Sequence, residues 1–222
     1  LYPGEYIIEI GKKIIDSNKN EKFDNFDQSF KLLKKESLKH SMNLIKSDLK
    51  QLGIEHDNFF SETELIENKL VDKAVNHLKK NNYVQEGYLE PPKGETDKTW
   101  KKTKRLIFKS TLFGDDTDRA MQKNDGSWTY FANDVGYHMD KVNRNYEYLI
   151  DVLGADHTGY VKRITAAVSA LSENKVKLNC KVCQLVKLYK KGKPFKMSKR
   201  SGDFISANDL LHEVNKDSIR FM

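Results

Sequence analysis

Apolar residues recur every three or four positions through most of the first eighty residues, a spacing that predicts helices. The predicted helices cover residues 5–17, 23–52 and 69–80. Gly53 follows the second of them and is expected to end it. Ser61 with Glu64 predicts a capped short helix, and the apolar pattern of residues 56–60 is typical of a short strand. The first part of the chain is therefore expected to be mainly helical.

The last third of the chain alternates between strand and helix patterns. Helices are predicted at 130–142 and 160–171, and strands at 148–153 and 176–188. Earlier, residues 83–104 hold a proline and glycine cluster among charges, so we expect a surface excursion with little regular structure. Asp125-Gly126 predicts a hairpin turn. The alternation predicts a parallel sheet with covering helices, in which ligands bind beyond the carboxyl ends of the strands.

The charge balance adds a hint about partners. The 222 residues include 39 Lys and Arg against 32 Asp and Glu, for a net charge of +7. This excess is compatible with a polyanionic partner such as RNA, although lysines spread along helices are also an ordinary solvated surface. No apolar run of about 18 residues is present, so no membrane span is expected. The first residues do not have the pattern of a signal peptide.

Cys180 and Cys183 have the Cys-x-x-Cys spacing of half a zinc site or of a redox pair. No second pair or histidine cluster lies nearby in the sequence to complete four ligands. Both cysteines lie within the apolar pattern of the last predicted strand. We therefore expect buried free thiols in a reducing cytoplasm, and no metal bound by the protein.

A first candidate site lies on the predicted helix 130–142. Tyr130, Asp134 and His138 are four residues apart and so share one helix face. A carboxylate in that position could pair with a guanidinium group through two parallel hydrogen bonds. A solvated polar face gives the same spacing, but Tyr130 and Gly136 are unusual choices for such a face.

A second candidate site directly follows the strand 148–153. The segment 154–160 reads Gly-Ala-Asp-His-Thr-Gly-Tyr. Gly154 at a strand end allows the backbone to approach a ligand closely, and Asp156 could accept a hydrogen bond from a ribose hydroxyl. The helix that follows could receive a phosphate at its N-terminus. A capped turn between strand and helix accounts for the segment equally well.

A third candidate site is the basic segment 196–202, Lys-Met-Ser-Lys-Arg-Ser-Gly. A mobile cationic loop of this kind can close over a triphosphate and neutralise the charge that grows on a departing pyrophosphate. Lys196 and Lys199 would meet the β- and γ-phosphates, while Ser198 would help to shape the closed loop. Taken alone, the segment is also compatible with a solvated basic turn.

The order of these motifs along the chain is similar to that of one family. Together with Phe113-Gly114-Asp115-Asp116, the three segments resemble bacterial arginyl-tRNA synthetase, a class I aminoacyl-tRNA synthetase, and supporting strings extend the match over 2–222. The resemblance implies an α/β fold with a Rossmann-like parallel sheet in 111–222, and a helical portion with an inserted segment of the catalytic domain in 1–110. It also implies an arginine–tRNA ligase with ATP as substrate, Mg2+ accompanying the ATP, and L-arginine and tRNA(Arg) as partners. A cytoplasmic monomer without membrane contact is expected.

The resemblance also implies roles for individual residues. Tyr130, Asp134, His138 and His157 are expected to bind arginine, with His138 the weaker of these assignments. The expected ATP-binding residues are Gly154, Asp156, His157, Lys196 and Lys199. The expected catalytic residues are Lys196, Ser198 and Lys199.

Two features of the family are absent from the sequence. The family's His-x-Gly-His type string does not occur, and no helical anticodon-binding domain follows. We therefore expect an incomplete portion of a synthetase that does not charge tRNA by itself. Two alternatives share the scaffold: a non-catalytic paralogue that binds tRNA or protein, and a nucleotidylyltransferase of the same superfamily. The latter would have the lysine loop but no need of an arginine pocket.

Overall fold

The computed structural model describes residues 4–89, 103–190, 192–195 and 205–221. Its helices are α1 (Glu5–Ser17), α2 (Phe26–Gln51), α3 (Glu62–Glu67), α4 (Leu70–Lys80), α5 (Tyr130–Val142), α6 (Val161–Leu171), α7 (Ala207–Glu213) and α8 (Lys216–Phe221). Its strands are β1 (Val84–Gly87), β2 (Arg105–Phe108), β3 (Arg119–Ala120), β4 (Tyr148–Gly154), β5 (Lys177–Cys183), β6 (Leu188–Lys190) and β7 (Lys193–Phe195). Short 3-10 helices cover Ser110–Phe113 and Ala155–Tyr160.

The chain forms two compact units, residues 1–59 with 187–222 and residues 60–186. In the first unit α1 packs on α2, and Ile10 and Ile14 are buried. Gly53 ends α2 with a φ of 70°, a left-handed conformation that favours glycine. The sequence predicted a different kind of boundary, near residue 110, between two parts of a catalytic domain. That boundary stays a prediction.

The second unit holds the main hydrophobic core. Helices α4, α5 and α6 pack against one another, and α6 also packs on β5. The large, fully buried apolar side chains of this unit include Leu78, Phe108, Met121, Val135 and Ile164. They come from helices and strands that are distant in sequence, so this core fixes the relative positions of α4, α5 and α6.

The described part of the second unit holds two sheets. Strands β1, β2 and β3 form an antiparallel sheet in that order. Strands β4 and β5 run parallel, in a register that pairs Tyr148 with Lys177 and Gly154 with Cys183. The chain crosses from β4 to β5 through α6, as parallel pairing requires. Gly154 therefore lies at the carboxyl end of the parallel pair.

A buried carboxylate supports the segment before β3. The side chain of Asp115 is fully buried and accepts two hydrogen bonds from Arg119, at 2.6 and 2.7 Å, and one from Ser110 Oγ at 2.9 Å. Burial acts to raise the pKa of Asp115, but the hydrogen bonds outweigh it and hold the pKa below its usual value. Gly114 provides the turn with a φ of 91°. The 3-10 helix Ser110–Phe113, which directly precedes Gly114, packs on α6. The hydrogen bonds of Asp115 therefore also support α6.

The structure corrects several predictions. Residues 56–60 form no strand, because no neighbouring strand pairs with them within the described residues. The region 83–104 contains β1, which finds its partner β2 only after residues 90–102, which lie outside the described residues. The strand predicted at 176–188 is β5 followed by the separate β6. Cys183 is exposed, since it lies three residues from Cys180 and strand side chains alternate between faces.

Gly136 allows a close approach between α4 and α5. A Cβ atom at this position would lie 3.0 Å from the backbone Cα and N atoms of Val71. We predict that Gly136→Ala lowers the free energy of unfolding by about 1 kcal/mol, since an overpacking cost of about 1–3 kcal/mol outweighs a helix-propensity gain of about 1 kcal/mol. Urea unfolding of the full chain, followed by circular dichroism, measures this change.

Gly11 is the matched control, because it is also a helix-interior glycine but a Cβ there would meet nothing within 4 Å. Gly11→Ala is expected to raise the free energy of unfolding by up to about 1 kcal/mol. Equal effects of the two substitutions would contradict the close contact at Gly136.

Candidate functional site

Helix α5 begins at a well-formed cap and presents its first residue to solvent. Thr129 Oγ1 accepts a hydrogen bond from the backbone of Ala132 at 3.2 Å and donates to the carbonyl of Ala120 at 3.0 Å. This cap ties the start of α5 to β3. Tyr130 is 82% exposed, and Lys123 Nζ lies 5.9 Å from the centre of its ring. The phenol is therefore open to a ligand.

Asp134 lies one turn further along α5 and contacts the segment that follows β4. The hydroxyl of Tyr160, the last residue of the 3-10 helix Ala155–Tyr160, donates a hydrogen bond to the Asp134 carboxylate. Both residues are half-buried. The structure thus brings the acidic residue of the first sequence motif to the end of the second motif.

The environment of Tyr160 keeps its hydroxyl protonated. Burial raises the pKa of Tyr160, and the hydrogen bond to the negative Asp134 raises it further. The ring of Phe131 meets the Tyr160 ring edge-on at 6.3 Å, and the guanidinium carbon of Arg163 lies 5.2 Å from its centre. The phenol is therefore a fixed donor toward Asp134.

A cavity of about 290 Å³ lies beside Asp134 within the second unit. Its lining residues are Phe60, Glu62, Leu65, Asn133, Asp134 and Tyr137. The rings of Phe60 and Tyr137 lie 4.7 Å apart, and Glu62 is the first residue of α3. Two carboxylates beside two aromatic rings suit a planar cation, which can hydrogen-bond through its edge and stack through its face.

Glu62 was not among the site residues predicted from the sequence. Its only local signal was the helix cap at Ser61, whose side chain accepts a hydrogen bond from Thr63 at 3.2 Å. The cavity forms through packing of α3 against α5, which are about seventy residues apart, so sequence spacing could not reveal it.

His138 is buried and linked to β4. Its Nδ1 lies 2.7 Å from the carbonyl oxygen of Asp134 and its Nε2 lies 2.8 Å from Oδ2 of Asp151. Lys141 donates to Oδ1 of Asp151 at 2.7 Å. Since both ring nitrogens of His138 face oxygen atoms of the protein, the geometry favours a supporting role for His138, and its predicted contact with arginine stays a prediction.

Asp151 is the acidic centre of this group. Burial alone would raise the pKa of its carboxyl, but hydrogen bonds from His138 and Lys141 outweigh burial and lower the pKa to about 2. The ionised carboxylate therefore joins α5 to β4, next to the end of the strand that leads into the candidate site.

The turn after β4 exposes its polar side chains. Asp156 and His157 have side chains that are 79% and 57% exposed, with Asp156 Oδ2 and His157 Nε2 3.6 Å apart. A Cβ at Gly154 would lie 2.6 Å from Oδ1 of Asp156, the mobile end of a side chain. The turn thus offers a carboxylate, an imidazole and open backbone at the carboxyl end of the parallel pair.

The remaining predicted residues, Lys196, Ser198 and Lys199, lie outside the described residues, and their roles stay predictions. In the described ranges, no group of three or more His, Cys, Asp or Glu side chains is placed to hold a metal ion. None of the helices in those same ranges is long and apolar enough to cross a membrane.

The chain is similar to known arginine–tRNA ligases. No family model matches the chain. An arginine–tRNA ligase from Pelagibacter ubique is 57% identical over 222 residues, which is all of this chain and 38% of that protein. Over its whole length the chain is thus similar to part of an arginine–tRNA ligase. An arginine–tRNA ligase from Ehrlichia chaffeensis is 48% identical over 223 residues, with 39% of that protein covered.

A solved structure of the synthetase family agrees with the fold. A crystal structure from Campylobacter jejuni, described as an arginyl-tRNA synthetase, matches 99% of this chain and 44% of its own with a TM-score of 0.77 and 30% identity. The family resemblance drawn from the motifs is thus confirmed. The chain spans about 38% of the length of the curated relatives above.

We predict that the Asp151 carboxylate stabilises the second unit in a pH-dependent way. Because folding lowers its pKa from 3.8 to about 2, its contribution is present above about pH 4 and is lost as the pH falls toward about 2. The contribution is about 2 kcal/mol. Asp151→Asn should therefore reduce the free energy of unfolding at neutral pH and flatten its decline between about pH 4 and 2, measured by urea unfolding.

Asp156→Asn makes the same charge change at an exposed position. It is expected to change stability at neutral pH by less than about 0.5 kcal/mol. If Asp151→Asn were equally mild, the hydrogen-bonded group around Asp151 would not stabilise the fold.

Proposed function

We propose that the protein is an arginine–tRNA ligase that activates arginine with ATP and transfers it to tRNA(Arg). One observation carries this proposal: the carboxylate of Asp134 lines a cavity with Glu62 and two aromatic rings, next to the turn after β4. The relatives that bear the name arginine–tRNA ligase match over the whole chain. The non-catalytic paralogue is not favoured, because the relatives named arginine–tRNA ligase are 57% and 48% identical over the whole chain.

The cavity supports recognition of the arginine side chain. A guanidinium group has five N–H donors in one plane and pairs with carboxylates through two parallel hydrogen bonds. Asp134 and Glu62 would accept these bonds, while Phe60 and Tyr137 would cover the face of the guanidinium. Tyr130, which is exposed at the start of α5, would contact the same substrate as the sequence motif implies.

The turn after β4 supports binding of the nucleotide. Gly154, Asp156 and His157 lie at the carboxyl end of the β4–β5 pair, the edge at which nucleotide folds bind their ligands. We assign Asp156 to a ribose hydroxyl and His157 to the space between ATP and arginine. Mg2+ would accompany the phosphates of ATP and offset their charge, in keeping with its preference for phosphate oxygens and water.

The chemistry would follow from these positions. In the first step, a carboxylate oxygen of arginine bonds to the α-phosphorus of ATP, the bond to the bridging oxygen breaks, and pyrophosphate leaves. In the second step, a hydroxyl of the terminal tRNA ribose attacks the carbonyl carbon, loses its proton, and AMP departs. Lys196 and Lys199, with Ser198, would neutralise the charge on the departing pyrophosphate.

We further propose that β4, α6 and β5 belong to a larger Rossmann-like sheet. On the side of β4 away from α6, Ile150 and Val152 are 64% and 69% exposed. Parallel sheets of α/β proteins carry helices on both faces, so an apolar outward face suits such a sheet. The net charge of +7 suits tRNA, and a cytoplasmic monomer is the state expected for this ligase.

We predict that Asp134→Ala weakens arginine binding by about 100-fold or more, because it removes the charged acceptor of the guanidinium. The measurement is the KM for arginine in ATP–pyrophosphate exchange by the full-length protein, with tRNA(Arg) present. Asp140→Ala is the control, since Asp140 is on the same helix but pairs with Arg144. An unchanged KM in Asp134→Ala would refute the proposed pocket.

Glu62 provides a second test of the pocket. We predict that Glu62→Gln raises the KM for arginine by about tenfold, because one charge-assisted hydrogen bond is worth about 1.5 kcal/mol. Glu64→Gln, two residues further along α3, changes an exposed glutamate that does not line the cavity and should leave the KM unchanged. Equal values for the two variants would remove Glu62 from the site.

A further inference from the structure

The hydrogen bond between Tyr160 and Asp134 joins two elements that meet at the candidate site. Tyr160 ends the 3-10 helix after β4, and Asp134 lies in the second turn of α5. Their contact spans 26 positions in the sequence. A link of this kind controls where the carboxylate points, which local helix geometry alone does not fix.

Asp134 is held at two points. His138 Nδ1 lies 2.7 Å from its backbone carbonyl oxygen, and the Tyr160 hydroxyl donates to its carboxylate. The first contact restrains the backbone of α5, while the second restrains the side chain. A carboxylate that is restrained in this way loses less conformational entropy when a ligand binds.

The hydrogen bond also leaves room for a ligand. A carboxylate has about four lone-pair positions, and the phenol occupies one of them on Oδ2. The remaining positions can accept the paired N–H groups of a guanidinium. Because Asp134 also lines the cavity of about 290 Å³, the restrained carboxylate is accessible from that side.

The Tyr160 ring is itself fixed by its neighbours. The edge contact with Phe131, at 6.3 Å, and the guanidinium of Arg163, at 5.2 Å, hold it from two sides. These contacts involve the ring and do not require the hydroxyl. A variant that lacks only the hydroxyl should therefore keep the ring in place.

We infer that Tyr160 is a positioning residue, which holds the Asp134 carboxylate in the orientation that accepts the guanidinium group of arginine. This inference rests on the proposed function and adds to it a residue that does not line the cavity. Tyr160 acts through Asp134, so its effect should be limited to arginine and should disappear when the Asp134 carboxylate is absent.

The test is Tyr160→Phe in the full-length protein, measured by ATP–pyrophosphate exchange with tRNA(Arg) present. We expect the KM for arginine to rise by about tenfold, as for the loss of one hydrogen bond to a charged group, while kcat and the KM for ATP stay within about twofold. Tyr148→Phe is the control, because Tyr148 is an exposed tyrosine of β4 in the same unit.

A double substitution separates positioning from a structural role. In the Asp134→Ala background, adding Tyr160→Phe should change kcat/KM for arginine by less than about twofold, because the group that Tyr160 orients is gone. An unchanged arginine KM in Tyr160→Phe, a parallel loss for ATP, an additive loss in the double variant, or failure of Tyr160→Phe to fold would each overturn the inference.

The same assays distinguish this inference from the proposed function. Absence of arginine-dependent exchange in the wild-type protein would refute the function and, with it, the role of Tyr160. Arginine-dependent exchange that depends on Asp134 but not on Tyr160 would refute the positioning role alone.

Discussion

The candidate site depends on one carboxylate whose side chain is only 11% exposed. Asp151 of β4 receives hydrogen bonds from His138 and Lys141, two residues of α5 that lie on adjacent turns. These bonds fix both the distance and the rotation of α5 relative to the strand. The positions of the proposed ligand-binding groups on α5 therefore depend on Asp151, although Asp151 does not line the cavity. A charge buried in this way is stable only because its partners satisfy it.

Three different elements then complete the site around α5. Gly136 brings α4 close on one side, α3 contributes Glu62 on another, and the segment after β4 reaches Asp134 through Tyr160. Glu62 and Tyr160 lie at the ends of their elements and Asp134 lies in the second turn of α5, whereas the core beneath them is apolar. This separation lets a rigid interior hold carboxylates near one another without burying them completely, which would disfavour their ionised forms.

The sequence predicted those parts of the fold whose signals are local. Helix α5 has the predicted bounds 130–142, and the ends of β4 and α6 lie within one residue of the prediction, because helical periodicity and glycine at a strand end are local patterns. The strand β1 was missed because its partner follows after a long interval, and Glu62 was missed because its cavity arises from tertiary packing. The family resemblance assigned Asp134 and His157 to the same substrate, yet the residue that contacts Asp134, Tyr160, was not singled out.

The two thiols of the β4–β5 pair differ in a way that is useful for spectroscopy. Cys183 is exposed and lies opposite Gly154 in the register of the two strands. Cys180 is half-buried, and burial raises the pKa of its thiol. Since thiolates are the reactive form, a maleimide dye should label Cys183 in preference to Cys180. The chain contains no other cysteine. A fluorophore can thus be attached beside the carboxyl end of β4 without engineering, and its emission would report on occupancy of the neighbouring turn.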